Sequence, residues 1–190
     1  MQLWAGGPYW ATTNIGASTP EEYGYYFAWG YTKGCVRNSG NDGWVLASDG
    51  KTAKQLNTTD FPDLSPASGD VLEAAKDAAT QNWGSGWRMP TQTDFDNLKS
   101  YCDITYVKTG TMGVRFTGKD SYSGNSIFLP AAGCGVGSGL GSAGSGCLYW
   151  SSTQAFSDAY LLNSHTVGSS YVSSASKYYG CPVRPVRSSL

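Results

Sequence analysis

The stretch 149–187, YWSSTQAFSDAYLLNSHTVGSSYVSSASKYYGCPVRPVR, constrains the fold more than any other, because its ends and its middle obey different rules. Trp150-Ser151-Ser152-Thr153 and Cys181-Pro182-Val183-Arg184-Pro185-Val186 join β-formers to residues that fix backbone geometry. Both ends therefore read as scaffold. Between 155 and 179 the chain is nearly uncharged, rich in Tyr and Ser, and follows neither an alternating nor a helical period. Held between two rigid ends, this middle reads as a binding face displayed on a frame.

A chain of 190 residues suits a single domain over 1–190 with a substantial core. Thirteen basic against 14 acidic residues offer nothing for neutralising phosphates, which argues against a nucleic-acid partner. Charged residues make up only 14%, against roughly 25% in ordinary soluble proteins. Such a surface has to rely on Tyr, Ser, Asn and Gly, the types that antibody-like paratopes use for contact. No apolar run is long enough to cross a membrane, and MQLWAGGPYW lacks a basic region followed by a hydrophobic segment. The expectation is assembly inside a cell or virion, or a domain cut from a longer exported chain.

Taken in order, the aromatic stretches WATTNIG (10–16) and YGYYFAWG (23–30) predict a strand ending in a turn at Gly16 and a buried aromatic strand. STPEE (18–22) between them predicts one helical turn. Residues 33–68 form a long excursion with room for a short hairpin, and excursions of that length are usually functional or specific to one protein. Ala-rich spacing predicts a helix over 70–80, capped by Ser68 or Asp70. A tight turn at 82–84 and a short strand stopped by Pro90 come next. Thr91 caps a second helix whose apolar face carries Phe95 and Leu98. Residues 105–107 and 113–117 pair across a turn at Gly110, and 126–133 is a buried strand entering a Gly/Ser loop. Two short helices and many strands predict an α+β fold, loop-rich, with small antiparallel sheets.

Five cysteines without a C-x-x-C pair make an odd count. The Gly/Ser loop between Cys134 and Cys147 would let those sulfurs form a disulfide in an oxidising compartment; two free buried thiols are the alternative. His165 is the sole histidine, and no zinc, calcium, phosphate-loop or nucleophile-elbow pattern is present. Asp158 is the one acid available to orient it in a triad, so contact rather than catalysis is its expected role. Neither a cofactor nor a metal site is expected.

The motifs WATTNIGA, PEEYGYYFAWG, DAATQNWGSGWRMPT, NSIFLPAAG, YWSST and PVRPV occur in register from 10 to 187, interrupted only by the 33–68 insertion. In this they resemble the Fibrobacter succinogenes major paralogous domain group, which includes variable proteins of diversity-generating retroelements. The resemblance implies a C-type lectin-like fold and a C-terminal variable region, 149–187, between core strands. It also implies diversification of that surface by mutation of adenines, mostly in Asn codons. Changing those adenines never produces Lys, Gln, Glu, Met or Trp, and only Lys177 in 155–181 belongs to that set. Lys177 is accordingly expected to be a fixed position. Trp150 is followed by Ser151-Ser152 and no Glu-Pro-Asn or Gln-Pro-Asp tripeptide occurs, which departs from calcium-dependent sugar binders.

The implied function is a non-enzymatic receptor-binding or adhesion domain on a phage tail fibre or cell surface, hence extracellular or virion-borne. Its partner would be a protein or glycan receptor on a host or neighbouring cell. Membrane insertion is not expected, and oligomerisation is left open. A fixed-specificity adhesin or polysaccharide-binding module of the same fold is the alternative. The expected face consists of Ala155, Phe156, Ser157, Asp158, Tyr160, Leu162, Ser164, His165, Tyr171, Ser173, Ser174, Ser176, Tyr178 and Tyr179. Trp150, Val183 and Val186 should point inward, and burial of Tyr171, Tyr178 and Tyr179 in the core would defeat this reading.

Overall fold

A computed structural model describes residues 1–38, 43–66 and 70–189. In chain order the elements are β1 (Tyr9–Trp10), β2 (Cys35–Arg37), β3 (Trp44–Leu46), β4 (Ala53–Lys54), α1 (Ala78–Trp83) and α2 (Gln92–Tyr101). There follow β5 (Cys102–Val107), β6 (Gly113–Gly118), β7 (Ser126–Pro130), β8 (Cys134–Val136), β9 (Gly139–Gly141), β10 (Gly146–Ala155), β11 (Asp158–His165), β12 (Ser169–Ala175) and β13 (Val186–Arg187). The fold is α+β: two helices and small antiparallel sheets, β2-β3-β4, β5-β6-β7, β10-β11-β12, β8-β9 and β1-β13.

Local chemistry sets several of these elements. Thr91 caps α2 in a full capping box with Asp94, and Phe95 and Leu98 are buried, as the spacing requires. Residues 105–107 pair with 113–115 across Gly110, whose φ of +68° favours glycine. Trp150, Val183 and Val186 are fully buried.

Tertiary pairing overrides local preference elsewhere. Helix α1 begins only at Ala78, because residues 70–72 lie along β10: Leu72 N–H donates to Ser152 O at 2.9 Å and Gln154 N–H to Asp70 O at 2.6 Å. Its cap is Asp77, whose buried carboxylate accepts from Thr80 N at 2.9 Å and Met89 N at 2.9 Å. Asp70 is thus not the cap, and Ser68 lies outside the described residues. Asn82 and Trp83 belong to α1, and Gly84, at φ +92°, ends it. Residues 18–22 form a turn rather than a helical one, held by the Glu22 carboxylate accepting from Ser18 N at 2.6 Å.

The stretches 10–16 and 23–30 are only partly buried, with Thr12 and Gly16 exposed and 23–25 half-buried, and are hardly regular, since Gly16, Gly24 and Gly30 take positive φ and interrupt them. Only Trp10 in the first and the single bridges at Tyr26 and Phe27 in the second pair as strand. The 33–68 excursion contains a three-stranded meander, β2-β3-β4, more than the single hairpin expected. The Gly/Ser loop is not a slack connector. It folds into β8-β9, and a Cβ on Gly133 would come within 2.1 Å of Gly141 O.

The sheet β10-β11-β12 separates two apolar cores. Tyr149 and Leu162 face the first, with Phe95 and Leu98 of α2 and Val114 and Phe116 of β6. Trp150 and Leu161, the next residues along, face the second, with Phe27, Trp29 and Met89. Burial on both faces is why β10 and β11 show no alternating pattern. A third core packs Tyr26, Trp44, Leu56 and Phe61 between the excursion and the frame.

Candidate binding face

Cross-strand partners stand on the same side of a sheet, so register decides which candidate residues meet. Rows run Gly146–His165–Ser169, Leu148–Asn163–Tyr171 and Trp150–Leu161–Ser173. Because Trp150 and Leu161 face the second core, His165, Asn163, Tyr171 and Ser173 share that side. Tyr171 is 45% exposed, and its hydroxyl accepts from Asn163 Nδ2 at 3.2 Å. Tyr160 and Ser174 pair with each other on the opposite side, that of Leu162 and α2.

A second cluster lies at the other end of β11. Ala155 pairs with Asp158, leaving Phe156 and Ser157 as a two-residue turn. Phe156 has φ +54° at the first turn position, where glycine is favoured, and is 93% exposed. Ala159 pairs with Ala175, which brings Ser176 to the same end. There the chain turns, with Tyr179 N–H donating to Ser176 O at 2.9 Å. The Tyr178 and Tyr179 rings meet edge to face at 5.2 Å, both half-buried. Burial, then the charge repulsion of the Tyr178 hydroxyl, and after these Cys134 and Asp158, push the Tyr179 hydroxyl above its ordinary range.

The fourteen expected residues therefore do not form one patch. Phe156, Ser157, Tyr171 and Ser174 are exposed, and Asp158, Tyr160, His165, Ser173, Ser176, Tyr178 and Tyr179 are half-buried. Ala155, Leu162 and Ser164 are buried and cannot meet a ligand. Leu162 packs in the first core, and Ser164 Oγ donates to Ser169 O at 3.2 Å. Sequence reasoning placed them outside because burial on both sides of β11 hides the core-facing period. It also overlooked Asn163 and Val167; Val167 is 83% exposed in the β11–β12 turn, and the Val-Gly pair in a Ser/Thr-rich run was its signal.

Lys177 is buried beneath the Phe156 end. Its Nζ donates to Asp63 Oδ1 at 2.9 Å, to Ser65 Oγ at 3.1 Å and to Gln154 Oε1 at 3.4 Å, and lies 5.2 Å from the Trp29 ring centre. The excursion thus braces the turn that carries Tyr178 and Tyr179.

His165 and Asp158 stand at opposite ends of β11, roughly 23 Å apart along the strand. That acid cannot orient that histidine. Among the described residues no three of His, Cys, Asp and Glu converge on a common point. Cys134 and Cys147 are not joined either: all five cysteines are free, buried thiols, the alternative expected for this pair. Cys147 Sγ donates to Leu129 O at 3.4 Å in the first core, while Cys134 lies in the second, 3.1 Å from Cys181 Sγ. Compared with protein families, curated proteins and solved structures, the chain matches none.

Proposed function

We propose that the chain is a non-enzymatic ligand-binding domain of C-type lectin-like architecture whose C-terminal surface is diversified by a retroelement, displayed on a phage tail fibre or cell surface. Phe156 carries the reading. A non-glycine residue in the left-handed region costs about 1–2 kcal/mol, and a side chain 93% exposed returns almost no burial to offset it. Folding does not account for a phenylalanine there, whereas contact with a receptor does. Tyr171 is 45% exposed, which further supports an aromatic contact surface, whereas Tyr178 and Tyr179 are half-buried, packed against the third and second cores respectively. The receptor is a protein or glycan on a host or neighbouring cell.

Sequencing the DNA that flanks the gene tests this. An imperfect repeat of the region encoding 149–187, differing only opposite adenines and near a reverse transcriptase gene, is expected; a flank lacking it would sink diversification.

One observation favours a fixed-specificity adhesin of the same architecture. Leu162 and Ser164 are types reachable from an Asn codon, yet core packing of the first and the buried hydrogen bond of the second already account for them. Part of the compositional signal therefore has a structural origin. Under that alternative, independent isolates would carry the same residues at 156, 157, 171 and 174.

A further inference from the structure

We infer that Cys134 and Cys181 are a disulfide site, closed when the chain folds in an oxidising compartment, which fastens the base of the segment bearing both ends of the candidate face. The backbone sets up the pair. Gly135 and Gly180 exchange hydrogen bonds at 2.8 and 2.9 Å, an antiparallel bridge. The neighbouring pair, Cys134 and Cys181, is therefore a non-hydrogen-bonded one, at which Cα atoms approach to about 4.5 Å. Disulfides span Cα separations of about 4.4–6.8 Å, so the bond forms without moving the chain. Cys181 exchanges its own backbone bonds with Phe27, at 3.0 and 3.1 Å, leaving its Cys134 side free for the side chains.

The register cannot slip. A Cβ on Gly135 would come within 2.3 Å of Leu56, and one on Gly180 within 2.5 Å of the same side chain. The two sulfurs are already in contact, Cys181 Sγ donating to Cys134 Sγ at 3.1 Å. Cys134 is 7% exposed and Cys181 not at all, so exchange takes place during folding, before the second core closes.

The oxidant is a small-molecule or protein disulfide. The thiolate of Cys134 attacks one of its sulfurs, forming a mixed disulfide and expelling one thiolate. The Cys181 thiolate then attacks Cys134 Sγ and expels the second. Two thiol protons leave the chain, and the two electrons depart with the reduced oxidant. The loop so closed, 134–181, contains β9 to β12 and both turns of the face.

Refolding the full chain with oxidised glutathione tests the site. The expected product has lost two hydrogen masses, and its non-reducing peptide map joins the peptides holding Cys134 and Cys181. Cys35, Cys102 and Cys147 should remain thiols that alkylate only after unfolding. The thermal midpoint of the oxidised chain should exceed that of the reduced chain by on the order of 10 °C. C147S should still form the bond, and C134S should lose it. A chain that stays fully reduced, or a map joining Cys134 to Cys147, would overturn the assignment; so would a bond that leaves the midpoint unchanged. The wild-type map decides even if C134S fails to fold.

Discussion

Arg184 Nε donates to Asn14 Oδ1 at 2.8 Å, joining the two ends of the chain inside the protein. The rest of the guanidinium is held by carbonyl oxygens of Ala11, Thr12 and Phe128 at 2.9–3.2 Å, with no carboxylate among its partners. Asn14 Nδ2 in turn donates to Tyr149 OH at 3.1 Å, whose proton goes to Pro130 O at 2.9 Å. Burial lowers the Arg184 pKa to about 10, which still leaves it charged at neutral pH. Arg184→Met strips donors from four acceptors at once and should destabilise by about 3–5 kcal/mol, read from urea unfolding. A loss below about 1 kcal/mol would show that water replaces the guanidinium.

Replacing Phe156 should have the opposite sign. Asparagine tolerates the left-handed backbone, so Phe156→Asn is expected to stabilise by about 0.5–1 kcal/mol while removing an exposed aromatic anchor. A stability gain coupled to weaker binding of receptor-bearing cells separates a contact residue from a packing one. Lower stability in the variant would refute the strain argument.

Lys177→Met keeps the stem against Trp29 and removes the ammonium from Asp63 and Ser65. Asp63 is 54% exposed and rehydrates easily, so the expected loss is only about 1–2 kcal/mol. Hydrogen exchange should quicken at 61–66 and 176–179 and stay unchanged in α2. Uniform acceleration would mean that Lys177 acts on global stability instead.

Asp49 provides a pH test. The Thr52 hydroxyl donates to its carboxylate at 2.6 Å, and the N–H groups of Thr52 and Lys51 each donate at 2.9 Å. With the Thr52 hydroxyl as the largest cause, its pKa falls from 3.8 to about 2. A depressed folded pKa means the contribution is fully present above 3.8 and lost as pH falls through about 2. Carboxyl NMR should show Asp49 titrating near 2, and Thr52→Ala should move it upward. Titration at the ordinary aspartate value would remove this turn from the account.

What could be read from sequence was local, and what could not was not. Thr91, Asp94, Phe95 and Leu98 sit within two turns of helix, and the 105–117 hairpin needs only its own turn, so α2 and β5-β6 were legible. The 70–80 helix failed at its start because residues 70–72 pair with β10, some eighty positions away. Lys177 stood out as the residue an Asn codon cannot yield, but its partner Asp63 lies in the least readable part of the chain. The aromatic contact residues were legible as composition. Which of them share a side was not, because that depends on the register of β11 against β12.

Leu161 and Leu162 are consecutive residues, yet one belongs to each core. The three-stranded sheet is thus a party wall, and neither compartment has a lining of its own along it. Opening one core exposes the back of the other, so the two should melt together in a single cooperative transition. Cavities cut at 161 and 162 should couple through the backbone they share, giving a double-mutant loss different from the sum of the singles. Replacements at the exposed turns, which line neither room, leave that cooperativity untouched.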